Sequence, residues 1–91
     1  MDKVYLVTYD LKGNRDYTEL YNALKASSGW WHYLESSWLI KSEETAEGVW
    51  KRLASEIAQG DRLLIIEVRD NVQGWLPKKA WEWIHENVPS P

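Results

Sequence analysis

Lys3-Val4-Tyr5-Leu6-Val7-Thr8-Tyr9 reads as a strand with two working faces: Val4, Leu6 and Thr8 on one, Tyr5, Val7 and Tyr9 on the other. β-Branched and aromatic side chains suit a pleated strand. Because both faces are largely apolar, the strand belongs inside a sheet covered on both sides. It therefore needs neighbouring strands and two covering layers from the rest of the chain.

The next segments supply them in a recognisable order. Asp10-Leu11-Lys12-Gly13-Asn14-Arg15 is a polar turn. Asp16 precedes Glu19 at the spacing of a reciprocal cap, which predicts a helix from Tyr17 to about Ser27 burying Tyr17, Leu20, Tyr21 and Leu24. Trp30–Leu34 and Ser37–Lys41 read as two strands joined around Glu35-Ser36. Ser42 is placed to cap a second helix with Ala46, Val49, Trp50, Leu53 and Ile57 inward, ended at Gln59-Gly60-Asp61 with Gly60 in a left-handed conformation. Arg62–Arg69 is a last strand, again apolar on both faces. After the loop Asp70–Gly74, Pro77 suits the first turn of a final helix carrying Ala80, Trp81, Ile84 and Val88, and Pro89 and Pro91 close the chain.

The order βαββαβ followed by a helix predicts an α/β domain, an α+β sandwich of the ferredoxin-like kind: an antiparallel four-stranded sheet with two helices on one face. Residues 1–91 form one domain, with 75–88 as a C-terminal helical extension within it. One sheet face then lacks a cover. The final helix folding back or a second copy of the chain would each supply one, and the apolarity of both end strands favours a homodimer.

Composition narrows the chemistry. The 91 residues include no cysteine and two histidines, which removes disulfides, thiolate nucleophiles and the usual structural zinc sites. No cleavable leader pattern opens the chain, and its apolar runs are far short of the roughly 20 residues a membrane helix needs. A cytoplasmic protein with no membrane partner is the resulting expectation. A net charge of -3, with Lys and Arg dispersed, disfavours nucleic acid as a partner. Seven tryptophans and five tyrosines with no phenylalanine point either to core filling or to a recognition surface.

Asp10 is the foremost candidate site: a carboxylate fixed by a strand end yet open to solvent. Paired across a two-fold axis, two Asp10 side chains would hold Mg²⁺ or share a proton, and bound Mg²⁺ would activate water against a phosphodiester. Lys12 and Arg15, in the following loop, are candidates for contacting phosphate oxygens. The bland alternative for Asp10 is a turn residue accepting backbone N–H groups. Gly13 alone makes no phosphate loop. By alternation Trp30, His32 and Leu34 share a strand face, with His32 more simply packed than catalytic. Ser36 and Ser37 form no evident triad with it. His85 falls on the polar side of the last helix. Trp75, Trp81 and Trp83 cluster near the C-terminus, Trp75 as an anchor for its loop, with a peptide or ligand groove as the functional alternative.

Val4 to Leu11, the Trp31-His32-Tyr33-Leu34-Glu35-Ser36-Ser37-Trp38 stretch and Gly60-Asp61-Arg62-Leu63-Leu64 resemble small bacterial SinR-like proteins. Those are similar in turn to CRISPR-associated Cas2 proteins and VapD-type ribonucleases. The wider similarity spans about Lys3 to Arg69, and the SinR-like one also takes in Gly74-Trp75-Leu76-Pro77 and Trp81. The resemblance implies a ferredoxin-like fold that commonly dimerises, with Asp10 at the position of the Mg²⁺-ligating aspartate proposed for Cas2. This chain differs from the Cas2 pattern in its mild negative charge and its tryptophan-rich stretch, and it shows no helix-turn-helix. The expectation is a dimeric interaction or scaffold domain. The alternatives are a Mg²⁺-dependent endoribonuclease or nuclease using Asp10, and a peptide or small-ligand binder.

Overall fold

A computed structural model describes residues 2–13 and 15–89. Asn14, within the first turn, and Pro91 lie outside the described residues. The elements are β1 (Lys3–Asp10), α1 (Thr18–Lys25), β2 (Gly29–Leu34), β3 (Ser37–Ser42), α2 (Ala46–Leu53) with a 3₁₀ turn at Ala54–Glu56, β4 (Arg62–Glu67) and α3 (Lys78–Asn87). The sheet runs β2-β3-β1-β4 with every adjacent pair antiparallel. Each βαβ unit is thus split by a strand of the other, and β1 is central. The α/β class and the antiparallel four-stranded sheet are as expected.

The two faces of β1 are covered by different parts of the chain. Tyr5 and Val7 meet Leu20 and Leu24 of α1, Trp38 and Ile40 of β3, and Val49 and Leu53 of α2 in the larger core. On the other face, Val4, Trp31 and Leu39 pack against Ala80 and Ile84 of α3 and the following Val88. The final helix therefore folds back on its own sheet. Its cover is partial: Leu34, Leu64 and Ile66 remain 46%, 54% and 48% exposed. Among the described residues no helix is long and apolar enough to cross a membrane.

Three local expectations need correction. Asp16 forms no reciprocal cap with Glu19. Its Oδ1 accepts the Thr18 backbone N–H at 2.9 Å, and α1 starts at Thr18, so the carboxylate closes a tight turn at the helix entrance. Ser42 does not cap α2 either. Thr45 does, accepting from the Gly48 N–H at 3.0 Å, because Ser42 is buried at the end of β3 and bonded to Glu44. Glu44 in turn meets Arg52 at 3.0 Å, and Arg52 reaches the Ala23 carbonyl and the Ser27 hydroxyl at the end of α1. That hub ties α1 to α2, and the Arg52 hydrogen bonds hold the Glu44 carboxyl below its ordinary range. Finally, the regular α2 helix stops at Leu53 and tightens into the 3₁₀ turn. Gly60 does adopt a left-handed conformation, with φ of 94°.

Candidate functional site

Asp10 is the last residue of β1, opposite Arg62 of β4. By strand alternation it follows Val4, Leu6 and Thr8 onto the α3 side of the sheet, beyond the reach of α3. It lines a shallow pocket of about 280 Å³ with Thr8, Arg62 and Leu64. Its carboxylate stands 3.5 Å from Lys12 Nζ, with both side chains more than 60% exposed. A pair this exposed contributes only about 0–1 kcal/mol. The structure thus brings Lys12 to Asp10 but not Arg15, whose guanidinium carbon lies 5.7 Å from the centre of the Tyr17 ring. Among the described residues no group of three His, Cys, Asp or Glu side chains is arranged to hold a metal. Water, backbone carbonyls or a second molecule would have to supply the remaining oxygen ligands of a divalent cation at Asp10.

The firmly held carboxylate near this loop is Asp61, which sequence reasoning treated only as the end of a helix signal. Its Oδ1 accepts the backbone N–H groups of Lys12 and Gly13, at 2.7 and 3.1 Å. Its Oδ2 accepts the Tyr17 hydroxyl at 2.6 Å and the Ala58 N–H at 2.7 Å. Those bonds, the one from Tyr17 foremost, hold the Asp61 carboxyl at about 2, below its ordinary 3.8. Desolvation and the bond to Asp61 raise the Tyr17 phenol above its usual range. Gly13 has no room for a side chain here: a β-carbon would overlap the Tyr17 hydroxyl. The turn carrying Lys12 is therefore locked to the α2–β4 connection, and Asp61 has its oxygens committed to that lock.

His32 and Ser37 are likewise occupied structurally. His32 Nε2 lies 3.0 Å from the Glu35 carbonyl, and its ring stacks on Trp38 with centroids 4.0 Å apart. Ser37 Oγ donates to Thr8 Oγ1 at 2.9 Å. The face assignment of β2 needs correction at Leu34. Pairing is regular to Trp31↔Leu39 and resumes at Leu34↔Ser37 after an irregularity. Trp30 and His32 point with Trp38 toward the α1/α2 side, whereas Leu34 joins Trp31 on the α3 side. His85 is exposed and stacks on Trp81 with centroids 6.2 Å apart.

A larger concavity than the Asp10 pocket lies on that α3 side. A groove of about 480 Å³ runs between the loop after β4, α3 and the open sheet, with Leu6, Leu34, Ile66, Val72, Leu76 and Trp81 among its walls. Trp31 also lines it, and its buried indole N–H has no acceptor among the described residues. Trp81 and Trp83 pack against the small core, while Trp75 is 99% exposed. Trp75 is thus no anchor for its own loop; Val72 and Leu76 pack inward in that role. An indole held in water between a Gly and a Leu-Pro pair is a feature that periodicity could not distinguish from a core tryptophan.

No protein-family model, curated protein or solved structure matches this chain.

Proposed function

We propose that the chain is an interaction domain that pairs with a second copy of itself through the uncovered half of the α3 side of its sheet. The observation that carries the reading is one face on which Leu34, Leu64 and Ile66 are about half exposed, beside a groove walled in part by Val72, Gln73 and Leu76 of the loop that carries the fully exposed Trp75. Leaving such apolar surface in water forgoes about 25 cal/mol per Å², and clustered apolar exposure marks interaction sites. A two-fold axis sets each copy's Trp75 against the other's groove, so the patch is complementary to itself. The resemblance to SinR-like and Cas2-type domains, read as a ferredoxin-like fold that dimerises, belongs to this reading, as does a cytoplasmic location.

Sedimentation of the wild type and of Ile66→Glu tests it. A wild-type dimer that Ile66→Glu converts to a folded monomer is the expected result. A wild type that stays monomeric at every concentration overturns the proposal. Trp75→Ala is expected to weaken pairing by tenfold or more, as truncation of a central aromatic anchor does at about 2 kcal/mol or above.

The nuclease reading depends on the same pairing, since Asp10 follows Thr8 onto the open face and its own molecule supplies Lys12 and Arg62 around it rather than further carboxylates. Cleavage of RNA or DNA with Mg²⁺ that Asp10→Asn abolishes would establish it. Absent or unchanged cleavage removes Asp10 as a catalytic group and leaves the interaction domain.

A further inference from the structure

A second concavity lies on the α1/α2 side of the sheet, away from the proposed pairing face. Because β2 is an edge strand, α1 reaches only part of its inner surface. Between them is a cleft of about 260 Å³ lined by Tyr21 and Lys25 of α1, Trp30 and His32 of β2, and Trp38 of β3. Trp38 is the fixed floor: it is buried, and its indole N–H donates to the Tyr9 hydroxyl at 2.9 Å. Tyr21 stacks against it with centroids 6.1 Å apart and planes within 19°. His32 lies flat over it, at 14°. A carbonyl oxygen only accepts, so His32 Nε2 carries the hydrogen given to Glu35, and that bond fixes the imidazole orientation.

The walls that meet solvent are His32, Trp30, which is 40% exposed, and Lys25, whose ammonium sits 5.4 Å from the Trp30 ring centre. Among the described residues no acidic side chain lines the cleft. Among the described residues no carboxylate forms an ion pair with Lys25. Core filling accounts for Trp38. It does not account for an exposed indole and a pre-oriented imidazole beside an unpaired ammonium.

We infer that this cleft binds a planar heteroaromatic ring bearing a negative charge, the chemistry of a nucleobase with its phosphate. The ring stacks on Trp30 in the offset manner aromatic pairs prefer, with the His32 ring, tilted from Trp30, against its edge, and every base offers a π face for it. The anionic group meets Lys25, which acts as a point charge toward phosphate. Lys25 already covers one side of Trp30, so a cationic guest is repelled. A volume under the roughly 300 Å³ at which drug-sized pockets begin limits the buried part to a single ring system.

Titration of the full chain with adenosine 5′-monophosphate, read from the indole N–H resonances, tests the assignment. Adenosine serves as the ring-only control and ribose 5-phosphate as the anion-only control. The monophosphate is expected to shift the Trp30 signal, adenosine to bind more weakly, and ribose 5-phosphate to leave it in place. Trp30→Ala, at a half-exposed position that spares the fold, is expected to weaken binding about fivefold or more. Lys25→Gln is expected to bring the monophosphate down to the affinity of adenosine. Absence of a shift, unchanged binding by folded Trp30→Ala, or equal binding of ribose 5-phosphate would each overturn it. A short single strand that binds more tightly than the monophosphate identifies a base within a strand as the guest, and equal binding identifies the free nucleotide.

Discussion

Asp61 and Gly13 are the two residues on which the candidate loop turns. The Asp61 carboxyl is held near 2 against an ordinary 3.8, so the folded state favours its ionised form. A depressed carboxyl contributes stability that is complete above its unfolded value and is lost as pH falls through the folded one. Asp61→Asn is therefore expected to lower the melting temperature by several degrees at neutral pH. The gap to wild type should close between about pH 4 and pH 2, as thermal scans over that range would show. Glu44 and Asp16, also lowered, add to the same acid-side loss. Gly13→Ala forces apart the Tyr17 hydroxyl and the turn and should cost about 1–3 kcal/mol in chemical denaturation, the usual range for overpacking. Asp10→Asn, at an exposed strand end, should move stability by no more than about 0.5 kcal/mol in the same assay. Asp10 at the end of β1 was legible because a strand's end follows from alternation. Asp61 was not, since its partners Lys12, Gly13 and Tyr17 are 44 to 49 residues away and long-range acceptors leave no local pattern.

At the level of elements, hydrophobic period served well where one face of a segment meets one neighbour. The four strands and three helices follow from it, with ends displaced where a side chain found another use. Thr45 caps α2 because Ser42 and Glu44 are drawn into the Arg52 hub. The irregularity in β2 carries Leu34 to the opposite face, and nothing in Trp30–Leu34 announces it, for a shift of register moves side chains without changing their hydrophobicity. The position of α3 was equally open from its stripe of Ala80, Trp81 and Ile84, since an apolar stripe does not name its partner. Ile84 is 4% exposed against Val4, Trp31 and Leu39. Ile84→Ala is expected to destabilise the fold by about 2–5 kcal/mol in urea, the range for emptying a packed aliphatic site. A loss under 1 kcal/mol would mean that α3 lies loosely on the sheet.

For the molecule as a whole, the two sides of the sheet are unequally finished. One has two helices; the other has a single helix, a groove and an exposed strip. If a second copy completes the strip, folding and pairing are linked by mass action, and the melting temperature of the wild type should rise with protein concentration. That of Ile66→Glu should not. The unequal covers also have a consequence in time. α3 is the last element in the chain, so the sheet with α1 and α2 is assembled from residues that all precede Lys78–Asn87. Until α3 docks, Val4, Trp31 and Leu39 face solvent bare, and the folding domain is at its most adhesive when it already holds all four strands. The docking of this last helix thus decides when a folding chain stops being prey to its neighbours, and loosening it with Ile84→Ala should raise the insoluble fraction on refolding from urea.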